Sequence, residues 1–164
     1  MSIDCRMPRI YGISNPKAGK IRVFYTVDQS VGRGGTNSRL DAMLVQFFLR
    51  ILCDEVKKPN PISLASSFRR PLKIDGIWGS TSQAYLDAWE KMINLVYGGV
   101  LMDGKVSTMS SGTTAGSTTG SRYKMAVLNG NYGMYRNNDW HLNLTKDPLW
   151  PAELTGTFYV QTTV

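Results

Sequence analysis

The stretch Leu72-Lys73-Ile74-Asp75-Gly76-Ile77-Trp78-Gly79 runs directly into Ser80-Thr81-Ser82-Gln83-Ala84-Tyr85-Leu86-Asp87-Ala88-Trp89-Glu90. Gly76 and Gly79 permit a tight, left-handed turn that other residues resist. Asp75 is placed to hydrogen-bond the turn backbone. Ile77 and Trp78 are expected to pin the turn to the helices around it. Ser82 is expected to cap the helix that follows, with Ser80 and Gln83 as a second capping arrangement. Tyr85, Leu86, Trp89, Ile93 and Val96 recur at helical spacing as its buried stripe, and Gly98-Gly99 ends it.

Upstream lies a second strongly periodic segment. Leu40, Leu44, Phe47, Phe48, Ile51 and Leu52 share a helical face, widened by Met43, Val45, Leu49 and Val56. So wide an apolar face predicts a central core helix. Ser38 and Asp41 have capping-box spacing at its start, Lys57 and Lys58 suit its negative end, and Pro59 and Pro61 stop it. Before it, Gly32-Arg33-Gly34-Gly35 lacks the Gly-Lys-Ser/Thr ending of a phosphate-binding loop and reads as a connector. Arg9–Ile13 and Ile21–Val27 read as strands around the turn-type cluster 14–20, hence a hairpin that needs something to pack on.

Downstream the pattern weakens. Ten of the fifteen residues in 107–121 are Ser or Thr, with Gly at 112, 116 and 120, so this is an exposed loop or tether. Segment 122–136 stays open between a hairpin turning at Asn129-Gly130 and a helix bearing Tyr123, Val127, Gly130 and Met134 on one face; helix is preferred. Residues 156–164 are strand-like, and an unpaired strand is an edge that seeks a partner.

The chain has 164 residues, long enough to bury a core without disulfides or metal. It carries 19 Lys and Arg against 12 Asp and Glu. The excess sits in residues 1–39, with seven basic and two acidic side chains. That suits contact with nucleic acid, anionic wall polymers or an acidic protein surface. No apolar run is long enough to cross a bilayer, and Met1–Arg6 does not read as a signal peptide. Cys5 and Cys53 make neither a disulfide framework nor a zinc site, and Cys53 is expected to be a buried free thiol.

Signals for catalysis are weak. His141 is the only histidine and alternates with apolar neighbours in a strand-like segment, so a structural role is expected. Asp54 and Glu55 are adjacent on a helix and point to different sides, so they make no acid–base pair. Asn143-Leu144-Thr145 is a chance glycosylation match. The expectation is a protein with no catalytic residues, no metal and no cofactor.

The Asp75-Gly76-Ile77-Trp78-Gly79 run resembles the second half of the small three-helix peptidoglycan-binding domain. Ser82 stands at that family's Thr, and Ala84, Leu86, Ala88 and Trp89 fill its apolar positions. Val45-Gln46-Phe47-Phe48-Leu49 is similar to the apolar-Gln-x-x-Leu core of its first helix. The resemblance spans about residues 38–97. Glu90 departs from the family's final Gln, and the linker holding Arg69-Arg70-Pro71 is longer. The implied fold is α+β: a compact helical peptidoglycan-binding-like module (38–106) with β-rich arms. Residues 1–37 form the basic arm and Gly-rich loop, 107–121 the Ser/Thr/Gly loop, and 122–164 a C-terminal extension of helix then strands.

If peptidoglycan is the ligand, the resemblance puts the site at Asp75, Gly76, Trp78, Gly79 and Ser82, in a groove with an exposed aromatic face. Val45, Gln46, Leu49, Ile77, Ala84, Leu86 and Trp89 then serve the fold. A module of this type with no hydrolase beside it and no export signal looks like a component of a bacteriophage particle. That implies a non-catalytic structural or interaction protein of the tail, neck or baseplate, or a decoration protein, located in the virion. Its partners are then other virion proteins, or copies of itself joined through the terminal arms. A genuine wall-binding module is the alternative, a wall hydrolase comes last, and neither nucleic acid nor membrane is expected as a partner.

Overall fold

The computed structural model describes residues 7–15, 20–56, 68–109, 121–157 and 159–163. Cys5, residues 16–19 of the turn-type cluster, Lys57, Lys58, Pro59, Pro61 and most of the Ser/Thr/Gly-rich segment lie outside them. Among the described residues the chain is α+β. Its elements in order are β1 (Arg9–Asn15), β2 (Lys20–Thr26), β3 (Val31–Gly32), α1 (Arg39–Arg50), α2 (Ser80–Val96), β4 (Lys105–Val106), α3 (Lys124–Tyr135), α4 (Asn138–His141) and β5 (Tyr159–Thr163).

The central helix is α1, as its wide apolar face predicts. Every residue from Asp41 to Leu49 is buried. Helix α2 packs on one side of α1 and α3 on another, with β3 and the short turn Ala152–Leu154 also against it. The helix then continues as one π-helical turn, Ile51–Glu55, where the Val56 N–H bonds the Ile51 carbonyl at 3.0 Å. Cys53 is buried, as expected, and its pKa is driven up by burial and then by the Asp54 charge.

The Ser38–Asp41 pair is not a capping box. The Ser38 hydroxyl donates to Asp41 Oδ2 at 2.6 Å, and the buried carboxylate also accepts the N–H groups of Asp28 (2.8 Å) and Gln29 (3.0 Å). Asp41 thus anchors the bend after β2 to α1. Burial pushes its pKa up, against the pull of these donors. This is one reason the N-terminal segment is no free arm: Tyr25, Val27 and Val31 belong to the core.

The hairpin forms as predicted, with β1 and β2 antiparallel from Arg9 opposite Thr26 to Asn15 opposite Lys20. The C-terminal strand joins the same sheet. β5 runs parallel to β1, from Arg9 beside Tyr159 to Ile13 beside Thr163, giving the order β2-β1-β5. One flank of the expected unpaired strand is therefore filled within the chain. A second, two-stranded ladder joins β3 to β4.

Segment 122–136 is helix, which removes the hairpin alternative. Its expected face is largely the outward one, however. Gly130 and Met134 are exposed and only Val127 of that face is buried, while Met125, Leu128, Asn129 and Tyr132 turn inward. Asn129 explains the preference. Its carboxamide copies a neighbouring strand: Oδ1 accepts the Tyr25 N–H (2.9 Å) and Nδ2 donates to the Tyr25 carbonyl (2.7 Å). A polar side chain so used must face the core, which an apolar count cannot reveal.

His141 lies at the end of α4, a short helix capped by the Asn137 side chain, and not in a strand. Its Nε2 meets Asn129 Oδ1 at 2.9 Å. The Tyr25 bonds fix that atom as the amide oxygen, which only accepts, so Nε2 is the donor. The Tyr25 and Tyr132 rings flank it at 5.8 and 6.0 Å. Burial lowers its pKa from 6.5. The unfolded chain therefore binds a proton that the folded chain resists, and this contribution to stability is lost as pH falls below about 6.5. Denaturant unfolding of wild type and His141→Gln between pH 7.5 and 5.5 should show the gap in stability closing toward acid.

Candidate functional site

The turn that decides the fold is organised by one buried carboxamide on α1. Gln46 Oε1 accepts the N–H groups of Asp75 (3.1 Å) and Gly76 (2.7 Å). Its Nε2 donates to the Ile77 carbonyl (3.0 Å), to Ser82 Oγ (3.0 Å) and, at 3.2 Å, to Asp75 Oδ1. Asp75 Oδ1 also accepts the Ile77 N–H at 2.9 Å, the local turn bond expected of it. Gly76 is buried at φ +74°, and a Cβ there would meet the Arg39 carbonyl oxygen at 2.6 Å.

Six expectations for the turn and its helix change. Gly79 is extended, at φ −117° and ψ −170°, and a Cβ added there would meet nothing within 4 Å, so any residue suits it. Ser82 is not a cap: it lies inside α2, buried, holding Gln46. Ser80 is also helical, and Gln83 takes the Trp78 indole N–H (3.1 Å) and donates to Asp87 (2.9 Å), so no capping box forms. Ile77 is 71% exposed and pins nothing, and Ala84 and Val96 are exposed as well. Trp78 does pack against the core, while Val45, Leu49, Leu86 and Trp89 are buried in it.

A groove of about 340 Å³ lies beside the turn, lined by Gln46, Lys73, Asp75, Ile77, Thr81 and Ser82 together with residues of the preceding loop. Trp78 is not among its walls, and no aromatic side chain is. The structure gathers Asp75, Gly79 and Ser82 at the groove and leaves Gly76 and Trp78 behind it.

A second Asp-Gly turn, which the motif search passes over, repeats the first. Asp103 Oδ1 accepts the Lys105 N–H (3.0 Å), as Asp75 does for Ile77, and Gly104 takes φ +68°. The Gly104 N–H reaches both oxygens of Glu90 on α2, at 3.1 Å each, as Gly76 reaches Gln46 on α1. The signal for it was available: Met102-Asp103-Gly104 repeats the apolar-Asp-Gly order of Ile74-Asp75-Gly76. The difference is chemical. Glutamine both accepts and donates, whereas a carboxylate only accepts and needs a cation when buried. Lys124, the first residue of α3, supplies it, with Nζ 2.9 Å from Glu90 Oε1, 2.6 Å from the Lys105 carbonyl and in contact with Asp103 Oδ1. Burial raises the Glu90 pKa against the pull of Lys124. At Asp103 burial also acts upward, but the Lys124 and Lys105 hydrogen bonds outweigh it and hold the carboxyl below its ordinary range.

Asp54 turns to the Leu72 N–H (2.9 Å) and the Tyr85 hydroxyl (2.9 Å), while Glu55 accepts from Arg50 Nε (2.8 Å). Among the described residues no group of three His, Cys, Asp or Glu side chains is arranged to hold a metal ion. No helix among them is long and apolar enough to cross a membrane. No family model, curated protein or solved structure matches the chain.

The two glycines of the first turn should separate cleanly. Gly76→Ala combines a left-handed backbone with a clash against main chain and should cost about 2–4 kcal/mol. Gly79→Ala should cost under about 1 kcal/mol. Chemical denaturation of the two variants checks both values.

Proposed function

We propose that this chain is a non-catalytic structural or interaction protein of a bacteriophage particle, built on a peptidoglycan-binding-like module that acts as a rigid docking body. The observation that carries the reading is where the polar groups of the Asp75–Ser82 turn are used. Gln46, Asp75 and Ser82 bond one another and the turn backbone. The Trp78 indole N–H is taken by Gln83, away from the groove. A turn satisfied from within is a folding device, and fold alone does not give a sugar site.

Large apolar side chains are instead presented elsewhere. Leu95, Val96 and Tyr97 at the end of α2, Leu101 and Met102 on the loop after it, and Met134 on α3 are each 41–72% exposed. Exposed apolar surface of this extent marks protein contacts more than carbohydrate contacts. The outer flanks of the β2-β1-β5 sheet add main-chain groups for strand addition.

The alternative is a genuine wall-binding module. The groove beside the turn favours it, since the exposed Lys73, Ser80 and Thr81 offer hydrogen-bonding groups around a concave surface.

Co-sedimentation with bacterial sacculi across a salt series separates the readings. The docking body should not be retained at high salt, and Thr81→Ala and Trp78→Ala should behave like wild type. It should also band with phage particles in a density gradient, and a Leu101→Asp, Met102→Asp double variant should lower that share. Salt-resistant retention on sacculi that Thr81→Ala abolishes moves the conclusion to the wall-binding module.

A further inference from the structure

Lys124, Glu90 and Asp103 make a cluster that an ordinary surface ion pair does not resemble. The Lys124 and Glu90 side chains are only 6% and 3% exposed, and Asp103 is 34% exposed. One amine meets two carboxylates, each on a different element: Glu90 on α2, Asp103 on the second Asp-Gly turn, Lys124 on α3. The amine is held by three acceptors at once and has little freedom to leave. Asp103 is fixed by the Lys105 N–H, and Glu90 by the Gly104 N–H. An amine held in contact with one carboxyl, with a second buried carboxylate touching the same nitrogen, sets a nucleophile, an electrophile and a proton carrier side by side.

We propose that Lys124 and Asp103 condense to an intramolecular isopeptide bond, with Glu90 as the proton carrier. Glu90 takes one proton from the Lys124 ammonium and passes it to an Asp103 carboxylate oxygen. A neutral amine then faces a neutral carboxylic acid. Nζ attacks Cγ, and the C–N bond forms. A second Nζ proton travels through Glu90 to the Asp103 hydroxyl, the C–O bond breaks, and water departs through the exposed side of Asp103. The third proton stays on the amide nitrogen, where Glu90 accepts its hydrogen bond. The sum is ammonium plus carboxylate giving amide plus one water, with Glu90 returned unchanged and no oxidant or cofactor consumed. The Lys124 cation and the Asp103 anion become a neutral amide, and Glu90, left without its cation, keeps the Gly104 N–H and gains the amide N–H as donors.

Glu90 suits the carrier role on geometry and on acidity. It is the more buried of the two carboxylates, and burial moves its proton affinity toward that of the amine. The bond would tie the start of α3 to the turn beside β4, across the Ser/Thr/Gly-rich segment between them.

Intact-mass spectrometry of the purified full chain, under denaturing conditions after several days at neutral pH, is the test. The linked protein should be lighter than its sequence by one water, about 18 Da. Asp-Gly sequences also lose water by closing a succinimide, so the variants are chosen to separate the two. Lys124→Arg and, where circular dichroism shows it folded, Glu90→Gln should keep full mass. Asp103→Asn should lose ammonia, about 17 Da, in place of water, and should keep full mass when combined with Lys124→Arg. Peptide fragmentation of wild type should join residue 124 to residue 103. Wild type at full mass overturns the proposal, as does a loss that persists in Lys124→Arg. A loss that persists in folded Glu90→Gln removes Glu90 from the reaction.

Discussion

The carboxamide of Gln46 is buried in the middle of the central helix, and a buried amide must find partners for both of its ends. It finds them in one turn and in the first residues of the helix that follows. Two N–H groups feed its oxygen, and a carbonyl, a hydroxyl and a carboxylate take its nitrogen. The turn therefore has one position relative to α1, and α2 starts where the turn ends. Leaving any of these groups unpaired in the core costs about 1–3 kcal/mol, which is large beside the stability of a small domain. α2 then repeats the device with Glu90 and a second turn. Because a carboxylate cannot donate, the repeat stays incomplete until α3 brings Lys124. The order α1, α2, α3 is thus a succession of polar requirements met in the interior, with the apolar core filling in around them.

How much of this was legible follows from the reach of each interaction. α1 and α2 announce themselves by periodicity, since their apolar side chains recur within a few residues. The first turn announces itself by its Asp-Gly run. The β1–β2 hairpin also comes from local composition. What escaped depends on partners far apart in the chain. Asn129 faces inward because Tyr25 needs an edge partner 104 positions away, and the apolar residues placed on the α3 face could not report that. Asp41 sits at capping-box spacing but serves Asp28 and Gln29. The parallel pairing of β5 with β1 joins the two ends of the described chain, a contact no local pattern encodes.

The candidate site divides along the same line. Asp75, Gly76 and Gln46 were read from their motif and act together. Gly79, Ile77 and Ser82 were read from the same motif, yet one needs no special backbone, one faces outward and one holds Gln46. A motif records which residues a turn contains, and it does not record which of them face a ligand. Glu90 stood out as a departure from the motif. Its reason lies in Lys124, 34 positions on, and in the turn at Asp103.

The parallel register of β1 and β5 has a mechanical meaning. Tension entering ahead of Arg9 and leaving after Thr163 pulls two side-by-side parallel strands in opposite senses along their own axes. Their ladder is then loaded in shear, and its hydrogen bonds share the force together and must yield together. An antiparallel pair pulled from adjacent ends would open one bond at a time, like a zip. The sheet is built so that stretching the chain from its two ends meets the stiff direction first.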